Sequence, residues 1–364
     1  SHSRRQQYVH AAIRSLQMEQ DQKDKSFSFN HIPHQQCIYR SASENEAKSG
    51  ITAMTIANLA GRLLPRPLRK FLQPKWHKVR DYLLFRIRLQ GRLRFDKSIG
   101  DWVAVRPFAG RKLAVPVRSY RQFRRYYQFG RQGDKDVVFA WMRRIEDCEV
   151  LYDIGSSNGL EGFFTNHLWG SKIVFVEPFT PSIETILKTI VLQGPAKRDD
   201  FEVVQSGCDL ELSQSKLYMH HGPIPGANRN SVAKPENYDR GGRQSQPVLC
   251  HQWVMTVSLD SLHWDLGLSL PTHVKIDVDG FEDQVMAGAT KLLREKCVHS
   301  WAIELNGLDN KKSITALMAT AGYDAVAEWE HYPGSEYYSG DTIFVRSDIT
   351  DAYRQQAATA ARSL

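Results

Sequence analysis

No stretch of the chain approaches the ~18 consecutive apolar residues that a membrane-crossing helix needs, so no transmembrane segment is expected. Cysteine is sparse: five in 364 residues, at positions 37, 148, 208, 250 and 297, with no C-x-x-C. Scattered thiols of odd number build neither a disulfide framework nor a Cys-based zinc site, and they suit a reducing compartment. No amino-terminal stretch reads as a secretory signal, and the expectation is a cytoplasmic protein. His220, His221, His251, His263 and His273 show no metal-ligand spacing, so no metal ligand is assigned. No Gly-Lys-Ser/Thr follows a glycine loop, which excludes a P-loop.

What is present is a chain 41% hydrophobic and 24% charged, with a net charge of +8. That suffices for one large core with added elements, and the charge mildly favours anionic partners. Residues 1–60 are polar and poorly periodic. Residues 62–94 carry eleven Lys and Arg against Asp81 alone. Within them 85–95 alternates apolar with basic, the period of a strand with one basic face. It reads as a solvated accessory surface or as an anion-binding face. Residues 102–117 read as a hairpin, 120–129 as a docking helix, and 133–145 as a helix with acids at its start. The chain thus divides into an extension (1–130), a main domain (131–350) and a tail (351–364).

The densest information lies at 150–177. Residues 150–154 form a short apolar run, a buried parallel strand. Gly155, Gly159 and Gly162 follow, four and three apart, with Ser156, Ser157 and Asn158 among them. Leu160, Phe163, Phe164 and Leu168 then recur at helical spacing. Such a loop opens a helix and turns free N–H groups toward a ligand. A second apolar strand, 173–176, ends in Glu177 and Pro178. A carboxylate there suits a ribose diol. The glycine spacing departs from G-x-G-x-x-G and fits S-adenosyl-L-methionine better than a dinucleotide. Further elements are a helix at 181–192, a strand at 201–204 leading to Cys208 and Asp209, and a Gly/Pro/Asn-rich insertion at 217–247. A strand entering a short helix at 254–262 follows. Then come strands at 274–278 and 300–305, a helix at 285–293, another at 313–321 and a closing strand pair. Asp277, Asp279 and Glu282 crowd the end of the fourth strand, and Glu304 lies on the fifth beside them.

These residues resemble the FkbM family of S-adenosylmethionine-dependent methyltransferases. The matching pieces are Asp153-Ile154-Gly155-Ser156-Ser157-Asn158-Gly159, Val176-Glu177-Pro178, Ser258-Leu259-Asp260 and Lys275-Ile276-Asp277-Val278-Asp279-Gly280-Phe281-Glu282, with Ala287-Gly288-Ala289 after it. They cover roughly residues 133–346. The family usually has Asn where Ser157 stands and Glu where Asp279 stands. The resemblance implies an α/β, Rossmann-like class I fold. Its seven-stranded sheet would have the order 3-2-1-4-5-7-6. It also implies methyl transfer from S-adenosyl-L-methionine, commonly to a sugar or natural-product hydroxyl. The cofactor would lie on Asp153, Gly155, Ser156, Ser157, Asn158, Gly159, Glu177, Pro178, Cys208 and Asp209.

A hydroxyl acceptor must lose its proton. The cluster Asp277, Asp279, Glu282 and Glu304 reads as that base or an acceptor clamp, as a structural network capping the next helix, or as an oxygen-ligand Mg²⁺ or Ca²⁺ site. The hairpin at 329–340 is densely aromatic. Trp329, His331, Tyr332, Tyr337 and Tyr338 are the candidate wall for a small-molecule or glycan acceptor, with packing of the loop onto the domain as the bland reading. Two other functions compete. One is RNA or other nucleic-acid methylation through the basic segment, weakened by the lack of Asn-Pro-Pro-Phe/Tyr after strand four. The other is a binding module that has lost turnover.

Overall fold

The computed structural model describes residues 93–355 apart from 109–110, 119, 131–135, 221–229, 233–246 and 335–336. Most of the basic segment and the tail beyond residue 355 therefore lie outside the described residues, as does most of the insertion. The first elements are β1 (Leu93–Asp96), β2 (Asp101–Phe108) and β3 (Arg111–Pro116), an antiparallel sheet, and helix α1 (Tyr120–Gln128) follows. Phe95, expected on the packed face of an 85–95 strand, is instead 53% exposed, edge to face with Trp102. The hairpin is fastened by charge. Arg118 Nε lies 2.5 Å from Asp101 Oδ2, and Lys188 Nζ lies 3.0 Å from the same oxygen.

Helix α2 (Val137–Met142) begins where Asp136 accepts the Phe139 N–H at 3.0 Å. Then come β4 (Val150–Ile154), α3 (Leu160–Trp169), β5 (Lys172–Val176), α4 (Thr180–Gln193) and β6 (Phe201–Val204). Every residue of β4 is buried, as a strand covered by helices on both faces must be. Short β7 (Gly207–Cys208), β8 (Ser213–Met219), β9 (Ser231–Val232) and β10 (Cys250–Val257) lead to α5 (Leu259–Trp264). Helix α5 starts with a capping box, the side chains of Ser258 and Ser261 each bonding the other's backbone N–H. The chain continues through β11 (His273–Ile276), α6 (Glu282–Ala287), α7 (Thr290–Glu295), β12 (Ser300–Asn306), α8 (Leu308–Thr320), β13 (Tyr323–Glu330) and β14 (Ser339–Arg346).

The expected seven-stranded sheet is present, in the order β13-β14-β12-β11-β4-β5-β6. β4, β5, β6, β11 and β12 run parallel, and β14 is antiparallel to both β12 and β13. Numbered along the chain, these seven strands lie in the implied order 3-2-1-4-5-7-6, and the chain adds a second sheet, β7-β10-β8-β9, between the third and fourth strands. Its arms pair antiparallel with Leu217 opposite Gln252. Ser215, Leu217 and Met219 are buried and alternate with more exposed neighbours, a period-two pattern hidden by the glycines and prolines that follow. A second correction concerns the single helix expected at 285–293. Two short helices stand there, broken near Gly288, where a Cβ would lie 2.5 Å from Asp209 O.

The hairpin and α1 share a core with the main sheet: Leu113, Val115, Phe123 and Tyr126 pack with Leu151, Ile173 and Phe175. Among the described residues no helix is long and apolar enough to cross a membrane. Gly162 lets α3 lie close on β5, since a Cβ there would meet the Phe175 ring at 2.4 Å and Ile173 Cγ2 at 2.7 Å. Both neighbours are fully buried. Gly162→Ala is therefore expected to destabilise the protein by about 1–3 kcal/mol through overpacking, read as a lower denaturation midpoint. An unchanged midpoint would show that α3 can shift freely.

Candidate functional site

The loop after β4 is shaped by a close approach. Gly155 adopts a φ of 71°, its N–H reaches Val176 O at 2.9 Å, and a Cβ on it would lie 1.9 Å from Asp277 O. Only glycine fits. Ser157, also left-handed at φ 52°, donates its N–H to Glu177 Oε2 at 2.7 Å. The Phe179 N–H reaches Oε1 at 2.9 Å. Glu177 thus stands rigidly at the tip of β5 with one lone pair on each oxygen still open. Burial pushes its carboxyl up to about 7, the two N–H groups pulling the other way. Under the loop, fully buried Asp153 accepts the Gly162 N–H at 3.2 Å. The Lys275 ammonium sits 3.5 Å from Asp153 and 3.6 Å from Asp277.

These groups border a cavity of about 300 Å³, within the range of small-ligand sites. One side is lined by Gly155, Ser157, Glu177, Pro178, Ser206 and Cys208, the other by Asp277, Asp279, Glu304, His331 and Asp341. Lys275 lies between them, α1 contributes Arg125, and the second sheet contributes Leu217 and Val232. Ligand oxygens of Asp277, Asp279 and Glu304 lie within 4.8 Å of one another, and Asp279 has a left-handed backbone at φ 53°. His331 Nε2 is 2.7 Å from Asp341 Oδ2, and its Nδ1 is 3.4 Å from Glu304 Oε1. Burial opposes charge on this ring, but the two carboxylates outweigh it and push the imidazole up to about 10. Both ring nitrogens of His331 are thus turned to protein oxygens, Nε2 to Asp341 and Nδ1 to Glu304 and Ser339.

Nine expected site residues line this one cavity: Gly155, Ser157, Glu177, Pro178, Cys208, Asp277, Asp279, Glu304 and His331. Ser156, Asn158 and Gly159 belong to the loop behind its lining, and Asp153 supports that loop from below. Asp209 does not line the cavity; its N–H is taken by Val257 O at 2.9 Å. Glu282 is also a correction. It is wholly buried and accepts from Gly280 N at 2.9 Å, Asn306 Nδ2 at 3.2 Å and Asn310 Nδ2 at 2.8 Å, a bracket between the loop after β11 and α8.

The aromatic wall does not form either. Trp329, Tyr332, Tyr337 and Tyr338 are absent from the lining. Tyr338 is in the core with its hydroxyl on Glu328, and Tyr332 is largely in solvent. Among the described residues of that hairpin only His331 lines the cavity. Arg125, Glu161 and Asp341 line the cavity unannounced by any motif. Asp341 stands across the β13–β14 ladder from Trp329, a pairing that exists only once the register is set.

The order and direction of the seven strands define a Rossmann-like α/β fold. No family model matches the chain. Among curated proteins it is similar to the hexuronic acid methyltransferase AglP of Haloferax volcanii, 23% identical over 231 residues, 61% of this chain and 86% of that one. Among solved structures it resembles a precorrin-6y C5,15-methyltransferase from Geobacter metallireducens, with 11% identity, a TM-score of 0.32 and coverage of 57% of this chain and 85% of that one. It also resembles M. capricolum TrmK in complex with S-adenosyl-homocysteine, with 11% identity, a TM-score of 0.33 and coverage of 58% and 67%.

Burial, offset by its hydrogen bonds, pushes the Glu282 carboxyl from 4.5 up to about 7. Between those two values the unfolded chain ionises while the folded protein keeps the proton. Stability from this group therefore falls as pH rises through that window and stays reduced above it. Glu282→Gln should flatten the decline between pH 4.5 and 7 by on the order of 3 kcal/mol, read as denaturation midpoint against pH. A decline as steep as wild type would show that Glu282 is not the group that titrates.

Proposed function

We propose that the protein transfers a methyl group from S-adenosyl-L-methionine to a hydroxyl oxygen of a sugar, glycan or related metabolite, in the manner implied by its likeness to FkbM methyltransferases. The observation that carries this reading is that Glu177 and the acid–imidazolium group of Asp279, Glu304 and His331 face one continuous cavity.

The residues fit the cofactor. Glu177 has lone pairs free for a ribose diol. Val176, Pro178 and Leu217 give apolar surface for an adenine, and Ser206 Oγ, buried at the cavity wall, has no hydrogen-bond partner among the described residues. When bound, S-adenosyl-L-methionine supplies an electrophilic methyl on a sulfonium. Asp277, Asp279, Glu304 and Asp341 line the same cavity and would favour that positive charge. Transfer to an acceptor oxygen would be an in-line displacement with the thioether leaving, so the chief task of the cavity residues would be positioning. The acceptor's proton passes to a carboxylate of Asp277 or Asp279.

Six carboxylates (Asp136, Glu161, Asp277, Asp279, Glu304 and Asp341) line the cavity beside Glu177, against Arg125, Lys275 and His331. Such a wall suits a small polyol and opposes a polyanionic nucleic acid. The hexuronic acid methyltransferase relative supports a sugar acceptor, with Arg125 as the cation for an acidic sugar.

Glu177→Ala is expected to weaken S-adenosyl-L-methionine binding tenfold or more, about 1.4 kcal/mol or above, in isothermal calorimetry. Undiminished affinity would remove the ribose assignment. Asp279→Asn should lower kcat roughly a hundredfold, as loss of a general base does, with the cofactor Kd little changed. Wild-type turnover of a sugar acceptor by this variant would exclude Asp279 as base.

A further inference from the structure

We propose that Asp147, His273 and His299 form a site for a divalent transition-metal ion, zinc foremost, at the end of the sheet opposite the cavity. Asp147 lies in the turn before β4, His273 is the first residue of β11, and His299 immediately precedes β12. These three strands are parallel neighbours, so their starting ends meet at one edge. One ligand atom from each residue lies within 4.8 Å of the other two. His299 Nδ1 is 2.5 Å from Asp147 Oδ2, and His273 Nε2 is 3.6 Å from Asp147 Oδ1.

The convergence of the three donors carries the argument. The His273 ring is buried, 2% exposed, with its Nε2 aimed at the Asp147 carboxylate. Its Nδ1 lies 3.1 Å from the Thr272 hydroxyl, which the Glu149 and Val150 N–H groups fix at 3.1 Å and 3.2 Å. A ring held from behind by a fixed oxygen, with its other nitrogen turned to a carboxylate and a second imidazole, has the orientation of a metal-bound histidine. Asp147 and His299 open on a surface recess bordered by Glu146, Glu149 and Thr272, which gives an ion access and leaves a coordination position for water. Two imidazole nitrogens with one carboxylate suit Zn²⁺, Co²⁺ or Ni²⁺ and not the all-oxygen shells of Mg²⁺ or Ca²⁺. Bound there, the ion pins the turn before β4 to the starts of β11 and β12, which stabilises the sheet and leaves methyl transfer alone.

The test uses the full chain, stripped with a chelator and titrated with zinc chloride by calorimetry, alongside thermal denaturation in zinc or magnesium. One zinc per chain, a raised midpoint with zinc and none with magnesium are expected. His273→Gln is liable to misfold because the ring is buried, so the variants are Asp147→Asn and His299→Ala at the accessible rim. Each should weaken zinc binding roughly tenfold or more. No zinc binding by the wild type would leave the cluster a plain ion pair and overturn the proposal. So would wild-type binding in both variants, or binding lost only in Asp279→Asn, which would put the ion in the cavity.

Discussion

A single buried ammonium holds the two halves of the site in place. Lys275 and Asp153 face each other across the β4–β11 ladder, so their side chains project from the same face of the sheet. Both are almost wholly buried. Ions removed from water cost several kcal/mol each and persist only when paired and hydrogen-bonded. Here burial drives Asp153 up and Lys275 pulls it back, and the carboxylates in turn hold Lys275 charged against its own burial. Asp153 spends its other oxygen on the Gly162 N–H, which fixes the start of α3. Lys275 reaches onward to Asp277 at the cavity edge. The cofactor loop and the acid group are thus set by one chain of charge, and neither can move without exposing an unpaired ion.

That chain also sorts the carboxylates by role. Glu282 and Asp153 are enclosed and spend their oxygens on backbone or side-chain N–H groups, so they brace the loops. Asp277 and Asp279 are partly open and face the cavity. Burial and direction separate residues that proximity in sequence lumps together, since Asp279 and Glu282 lie one turn of chain apart. The imidazolium of His331 performs a complementary task. Held by Asp341 and Glu304, it offsets part of the negative charge of the wall and fixes both carboxylates at the cavity.

The strand, glycine loop, helix and Glu177 were legible because they lie within one short stretch, where local rules of turn and period apply. The acid cluster was half legible. The sequence places Asp277, Asp279 and Glu282 together but does not say that Gly280 and Phe281 turn Glu282 into the interior. Arg125 and Asp341 carried no signal, because only the packing of α1 on the loop and the β13–β14 register bring them in. The aromatic hairpin misled for a physical reason. Aromatic density marks apolar area, not direction, and Tyr338 spends its ring on the core and under Lys311, 4.2 Å above it. The second sheet was missed because its period-two strand ends where the glycine-rich stretch begins.

A parallel sheet has two unlike ends, and this chain uses both. At the carboxyl ends of β4, β5, β11 and β12 the loops diverge, and their N–H groups and acids frame a ligand-sized cavity, as open α/β sheets generally do. At the amino ends the starts of β4, β11 and β12 lie side by side, with Trp141 of α2 against His273 and Ser300. Asp147 and His299 stand 152 residues apart in sequence yet share a hydrogen bond. Ligand spacing along a chain finds metal sites built on one loop or one helix; it is blind to sites built from strand starts, whose separation is set by the crossover helices. His273, solitary in sequence, meets His299 because β11 and β12 are neighbours, and the same pairing places Asp277 beside Glu304 at the opposite end.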